Sequence, residues 1–406
     1  WIALWKNVGA KIKPQIICTS KCIFANSNNA QPDNAFKYTI CNNAFEFLTK
    51  GLRIDFGKLN AREEDMPYWE ELASNIDVAD FDFDAFVNQR FNTSSLNEEN
   101  AFVQTWFEYR DEFSRWLLKT YFVWKTEESN YLIRVLENVA SLGSSDLFSQ
   151  IATQIFEEPL DETSISQRLA LLREAKRQHV QITSLAEQKV KAKLSAMAAD
   201  PERGPLFAMK YMSPLTLSEQ CLMTEWVGHG KIEKNYIKIL FPELYAYLLP
   251  PSVQTEKVNG WINEYFQEYC LSKVGNSQTE NLANKLKELN ASQVSFETWR
   301  NGFKTVKTFM HNRQDIDIYY WIDGLGVDWI PFIAQVVEKH KADGVFLNEI
   351  YVAASELPTV TSVNKTKLDE MADGKLEKIG DVDKFAHTPK KYPAYLIEEF
   401  RIVEDA

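Results

Sequence analysis

Three short segments near the end of the chain carry side chains suited to phosphoryl chemistry. Asp323 follows the run Tyr319-Tyr320-Trp321-Ile322 and precedes Gly324 and Gly326. A carboxylate at the end of a stiff strand offers fixed charge to a metal ion. The glycines let the backbone turn tightly without a Cβ clash. Asp323 and Asp328 could equally serve as turn and N-cap residues before a helix. Next, Leu357-Pro358-Thr359-Val360-Thr361-Ser362-Val363-Asn364 crowds three hydroxyls and an amide into one loop. A phosphate-binding, nucleophile-bearing turn needs such groups, and a bound divalent cation would activate a hydroxyl there. A polar loop capping the next helix has the same composition. Last, Asp383 and His387 place a hard oxygen and an imidazole within reach of one cation, a pairing that suits zinc or manganese.

The surrounding pattern says how these segments could meet. Residues 316–322 form a continuous β-branched and aromatic run, as expected of a strand buried on both faces. Residues 329–341 read as a helix with Pro331 in its first turn, and residues 344–354 as a second buried strand. Strand, helix, strand with short links predicts a parallel, right-handed unit. Ligands bind beyond the carboxyl ends of such strands. The loop at 357–364 would then reach the same sheet edge as Asp323.

The order of the three segments resembles the alkaline phosphatase superfamily. A strand-end Asp-Gly there precedes a Pro-x-x-Thr loop and then Asp-xxx-His, as in Asp323-Gly324, Pro358-Thr359-Val360-Thr361 and Asp383 to His387. The phosphodiesterase branch is especially similar, since an Asn follows its nucleophile as Asn364 follows Thr361. Within the superfamily, Ile322-Asp323-Gly324-Leu325-Gly326-Val327-Asp328 and the Leu357–Thr361 loop look like the PglZ family of bacterial phage-exclusion (BREX) systems. The motif-level resemblance covers only the last fifth to quarter of the chain, and the long helical region before it fits in architecture.

The resemblance implies particular roles. Asp323 would bind one metal, Thr361 would be the nucleophile on that metal, and Asn364 would hold a phosphoryl oxygen. Asp383 and His387 would bind the second metal, with zinc expected and manganese as runner-up. Thr359 is the second choice for the nucleophile, and Ser362 is a neighbour that could be mistaken for it. Expected partners are other BREX proteins and a phosphate ester substrate, with nucleic acid open. No His follows His387, so the family's later Asp-His-Gly motif and final metal-binding His are not found. A two-metal site needs roughly six or seven protein ligands, against the four donors Asp323, Thr361, Asp383 and His387. A chain beginning at Trp1 without Met and lacking those motifs is expected to be a fragment that binds metal poorly and does not turn over substrate.

Composition bounds the remainder. The chain has 406 residues, enough for two or three domains. The balance of 45 Lys+Arg against 57 Asp+Glu, a formal charge of −12, argues against a general nucleic-acid coat protein. Five cysteines without a second CxxxC-like pair indicate reduced thiols in a cytoplasmic protein. No apolar run is long enough to span a membrane.

The fold expected is multidomain, α plus α/β. Residues 1–62 read as a mixed α/β remnant, with strands at 14–18 and 51–57. Residues 63–312 read as a large irregular helical domain, and 313–406 as an incomplete alkaline-phosphatase-like α/β domain with a parallel sheet. In the helical domain, Phe102, Trp106, Tyr109, Phe113, Trp116 and Leu117 recur at helical spacing. A second long helix is expected over 164–199, opened by Ser164 and Gln167 at capping-box spacing. It carries Arg168, Arg173, Lys176, Arg177, Lys189, Lys191 and Lys193, read as a solvated face, and His179, read as a core residue. Further helices are expected at 215–228, 236–249, 254–273, 278–289 and 294–310.

Overall fold

The computed structural model describes residues 39–76, 81–157, 161–201, 203–251, 261–291, 300–311, 313 and 315–406. The chain forms two compact units, residues 1–90 and 91–406.

In the first unit, a helical turn at Ala44–Glu46 is capped by Asn43, whose side chain accepts from the Glu46 amide at 2.8 Å. It runs on into a π-helical turn, Phe47–Gly51. Two helices follow, α1 (Met66–Asn75) and α2 (Phe83–Phe91). The strand expected at 51–57 does not form. Arg53 and Gly57 take left-handed φ values of 60° and 55°, which interrupt an extended run. The apolar residues of this stretch instead make a local aromatic cluster, with Phe56 and Phe45 at 5.2 and 4.8 Å from Trp69. The strand expected at 14–18 lies outside the described residues.

The second unit is mostly helical. Its first helices are α3 (Glu99–Glu108), α4 (Glu112–Lys125), α5 (Tyr131–Asn138) and α6 (Ser144–Gln154). Phe102, Trp106, Trp116, Phe122, Tyr131 and Phe148 are all buried among them. The chain breaks between α3 and α4, where Asp111 caps the new helix by accepting from the Ser114 amide at 2.8 Å. The apolar period continues across the break because both helices face one core.

The long helix expected at 164–199 is likewise two helices, α7 (Glu162–Arg177) and α8 (Ser184–Ala198). Asp161 and Thr183 are their N-caps, so Ser164 lies inside α7 rather than opening it. His179 is exposed, with φ 54°, and terminates α7; it is not a core residue. Arg168 corrects the solvated-face reading. It is 1% exposed, and its guanidinium donates to the Ala152 and Tyr211 carbonyls at 2.9 Å. Burial lowers its pKa, opposed by the charge of buried Glu219. The other six basic residues are exposed.

A short helical turn at Gly204–Ala208 is followed, among the described residues, by α9 (Leu217–Gly228), α10 (Pro242–Tyr247), α11 (Trp261–Val274) and α12 (Glu280–Ala291). A capping box between Thr216 and Glu219 opens α9. The helix expected at 236–249 starts only at Pro242, whose missing N–H suits a first turn and not a helix interior. Of the stretch at 294–310, the described residues form the short α13 (Val306–His311).

Among the described residues, two strands make a sheet, β1 (Tyr319–Ile322) and β2 (Leu376–Ile379), paired parallel with Tyr319 opposite Leu376 and Trp321 opposite Lys378. Between them run α14 (Ile330–Lys339) and α15 (Thr361–Ala372). The parallel unit is therefore present, but its second strand is not residues 344–354. That segment is irregular, with isolated bridges at Tyr351 and Ala354, the latter to Thr305. Apolar composition suits a strand, but a strand also needs a neighbouring ladder, and Val345, Phe346 and Leu347 stay exposed. Nor is β1 buried on both faces: Tyr320 is 60% exposed.

After β2 come α16 (Asp381–Ala386) and α17 (Ala394–Asp405). Phe400 of α17 packs against Phe241, Tyr247, Trp329 and Phe332, with ring centroids 5.4–5.8 Å apart. This cluster joins the residues after β1 to the helical body. The α/β part falls in the same compact unit as the helices of residues 91–291. Among the described residues, no helix is long and apolar enough to cross a membrane.

Candidate functional site

Alternation along β1 places Tyr319, Trp321 and then Asp323 on one side of the sheet, with Lys378 beside Trp321 in register. The Asp323 amide donates to the Ile379 carbonyl at 2.9 Å, which fixes the strand end against β2. Gly324 follows at φ 81°. A Cβ there would lie 3.1 Å from the Asp383 backbone nitrogen and Cα, so the missing side chain lets the start of α16 close against the residue after Asp323.

The Thr361 hydroxyl donates to the Asp323 carboxylate, 3.2 Å from each oxygen. Thr361 is the first residue of α15, and Val360 ahead of it provides no side-chain cap. The first N–H groups of a helix have no intrahelical partners, and its N-terminus carries partial positive charge. A carboxylate beside that turn is electrostatically favoured. Thr359 and Ser362, the other hydroxyls of the loop, are exposed. The loop therefore places the expected Thr361, out of three candidates, on the expected Asp323.

Asn364 is bonded within its own loop. It is 8% exposed, and its carbonyl oxygen accepts from the Glu356 amide at 2.7 Å. Its amide nitrogen donates to the Glu356, Val360 and Pro358 carbonyls at 3.1, 3.2 and 3.4 Å. With both ends of the amide engaged by backbone, Asn364 staples the loop that presents Thr361.

Asp383 and His387 are brought together, with Nε2 3.7 Å from Oδ1 across one turn at α16. Their side chains are 47% and 80% exposed. Asp328, weighed as an N-cap, is instead buried: it accepts from the Tyr247 hydroxyl at 2.7 Å and pairs with Lys273 at 3.4 Å.

Motif reading missed Lys378. Its Nζ is 2.6 Å from Asp323 Oδ2. The Lys378 hydrogen bond holds the Asp323 carboxyl below the usual carboxylate range, with the Lys378 charge and the Thr361 hydroxyl acting in the same direction. The signal available in the sequence was positional, a lysine at an alternate position of the short run Leu376–Ile379. It became interpretable only once that run was known to pair with β1.

A cavity of about 460 Å³ opens over this site, lined by Lys307, Trp321, Asp323, Thr361, Asn364 and Lys367 among others. That volume lies in the range of small-ligand pockets. The described residues do not fit a complete divalent-metal centre. Among them, no three or more His, Cys, Asp or Glu side chains converge to hold an ion. Asp323 with Thr361 forms one pair of donors and Asp383 with His387 another, and the charge of Asp323 is already met by Lys378.

No protein-family model, curated protein or solved structure matches the chain. The functional reading rests on the site's geometry and on the motif order.

Proposed function

We propose that this chain belongs to a PglZ-like protein of a bacterial phage-exclusion system, a cytoplasmic phosphoric ester hydrolase with Thr361 as its nucleophile. The observation that carries the reading is the Thr361 hydroxyl seated on the strand-end Asp323 at the start of α15. In such a reaction the Thr361 oxygen attacks phosphorus, the ester oxygen departs with its alcohol, and water later releases phosphate. Asp323, kept ionised by Lys378, orients the attacking hydroxyl by accepting its hydrogen bond. The α15 N-terminus favours negative charge gathering at phosphorus. The divalent cation implied by the motif order, zinc or else manganese, needs ligands beyond those these residues bring together.

Hydrolysis of phosphodiester and phosphomonoester substrates by the intact protein, with Zn²⁺ or Mn²⁺, tests the reading against Asp323→Ala and Thr361→Ala. Loss of turnover in both variants is expected. Equal turnover in parent and variants rejects it.

A second reading, an assembly scaffold for other defence components, is favoured by the closed Lys378–Asp323 pair and by the exposed Asp383 and His387. Because the helical body and the α/β part share one aromatic core, the whole chain is the proper bait. Failure to bind any purified component of the same system counts against the scaffold.

A further inference from the structure

The cavity beside Thr361 has an aromatic wall and an unbalanced charge. Trp321 lies two residues before Asp323 on the same side of β1, and its half-buried indole lines the cavity. The indole N–H faces the Asp323 carboxylate and adds to the lowering of its pKa, so the ring stands next to the group that holds Thr361. Among the described residues, no other aromatic ring stacks on Trp321. Val306, Met310, Leu368 and Leu376 extend the lining with apolar surface. The ionic groups around the cavity pair off with one exception. Lys378 meets Asp323 at 2.6 Å, and Lys307 meets Glu356 at 3.0 Å. Lys367 forms no ion pair or hydrogen bond among the described residues, and its charge acts on Glu356 only through space. Asn364 and Lys367 are three residues apart on α15, so they share the flank that lines the cavity.

We propose that the cavity binds a phosphate ester whose alcohol carries an aromatic ring, with the ring against Trp321 and the phosphoryl charge balanced by Lys367. The proposal rests on the reading of Thr361 as the nucleophile of a phosphoric ester hydrolase and names a substrate class for it. A planar ring gains more against an indole face than an alkyl group does, because offset stacking adds to the area buried. A volume of about 460 Å³ has room for a single ring system and a phosphoryl group. With Asp323 and Glu356 each met by a lysine, the Lys367 ammonium is left to attract an anion. Apolar walls around it strengthen that attraction by lowering the local dielectric. Trp321 therefore sets the preference for a ring, and Lys367 the preference for negative charge. A simple aryl ester and a nucleoside monophosphate share this chemistry and differ in the spacer between ring and phosphorus.

Isothermal titration calorimetry on the whole chain tests the assignment without requiring turnover. The probes are phenylphosphonate, uridine 5′-monophosphate and methylphosphonate. At least one aromatic probe is expected to bind about tenfold more tightly than methylphosphonate. The tighter of the two tells a short spacer from a ribose. Trp321→Ala is expected to bring all three to similar affinities, and Trp321→Phe to keep most of the preference by restoring a ring. Lys367→Gln, at an exposed position, is expected to weaken all three severalfold and to leave the preference in place. Equal binding of the three probes by the parent, or no binding of any, overturns the proposal. So does a preference that survives Trp321→Ala, or an unchanged affinity in Lys367→Gln. The parent comparison and Lys367→Gln stand whatever Trp321→Ala does to folding. Neither phosphonate contains an ester bond, so binding is read apart from catalysis. A missing preference leaves the hydrolase reading to its own turnover test, and a failed turnover test leaves the preference measurable.

Discussion

The Tyr247 hydroxyl donates to Asp328 Oδ2 at 2.7 Å, tying the end of α10 to the turn that leaves β1. Asp328 is 7% exposed, and Lys273 of α11 reaches the same oxygen at 3.4 Å and Glu399 of α17 at 3.1 Å. Four elements distant in sequence thus meet at one polar cluster inside the aromatic core. The Lys273 ammonium also lies 4.8 Å from the Trp329 ring centroid.

Tyr247→Phe keeps the ring packing and removes the donor. A net cost of about 1–2 kcal/mol is expected, because Asp328 then has lost one partner in a buried setting. Urea denaturation of parent and variant measures it. An unchanged midpoint would show that Lys273 alone satisfies Asp328.

Lys273→Met leaves two buried carboxylates without their shared cation, and a loss of about 3–5 kcal/mol is expected at neutral pH. The loss should shrink in acid. Burial raises the Glu399 pKa above its ordinary 4.5, with Lys273 partly offsetting. Between 4.5 and the raised value the native state binds more protons than the unfolded one, so stability falls as pH rises through that window. Lys273 itself is opposed by burial, but Glu399 and Asp328 outweigh that and raise its pKa. Its contribution is complete below 10.5 and is lost as pH rises through the raised value. Denaturation midpoints from pH 4 upward, compared between parent and variant, follow both effects.

Asn364→Ala removes the staple of the 356–364 loop and leaves the Glu356 amide without its acceptor. A destabilisation of about 2 kcal/mol is expected, with faster hydrogen exchange at Glu356. Asn364→Asp keeps the acceptor and loses the donors, so protection at Glu356 should survive while the loop carbonyls lose their partner. If Asn364 served only a bound phosphoryl group, neither variant would change exchange in the free protein.

Arg168→Ala removes hydrogen bonds to Ala152 and Tyr211 and leaves buried Glu219 without the opposing charge. The expected cost is about 3 kcal/mol or more, read from thermal or urea unfolding. A surface arginine of α7 such as Arg173 should change stability little on the same replacement.

Local rules in the sequence settled a definite part of this structure. Helical periodicity marked the apolar faces around Phe102, Trp106 and Trp116, because burial follows the spacing of apolar residues. The aspartate after an aromatic run, the glycine that must accept φ 81°, and a hydroxyl-rich loop were legible for the same reason: each is a short-range constraint. They brought Asp323 and the 357–364 loop into view together, and the family resemblance singled out Thr361 within that loop. Tertiary structure decided what short-range pattern cannot. A strand exists only with a partner, so Leu376–Ile379 became β2 while the more apolar 344–354 stayed irregular. Periodicity carries through a turn when both sides face one core, which hid the breaks at Asp111 and His179. A charge has no fixed place until its neighbours are known. The fold buried Arg168 and Asp328, gave Asn364 to the loop backbone, and placed the Lys378 ammonium on Asp323.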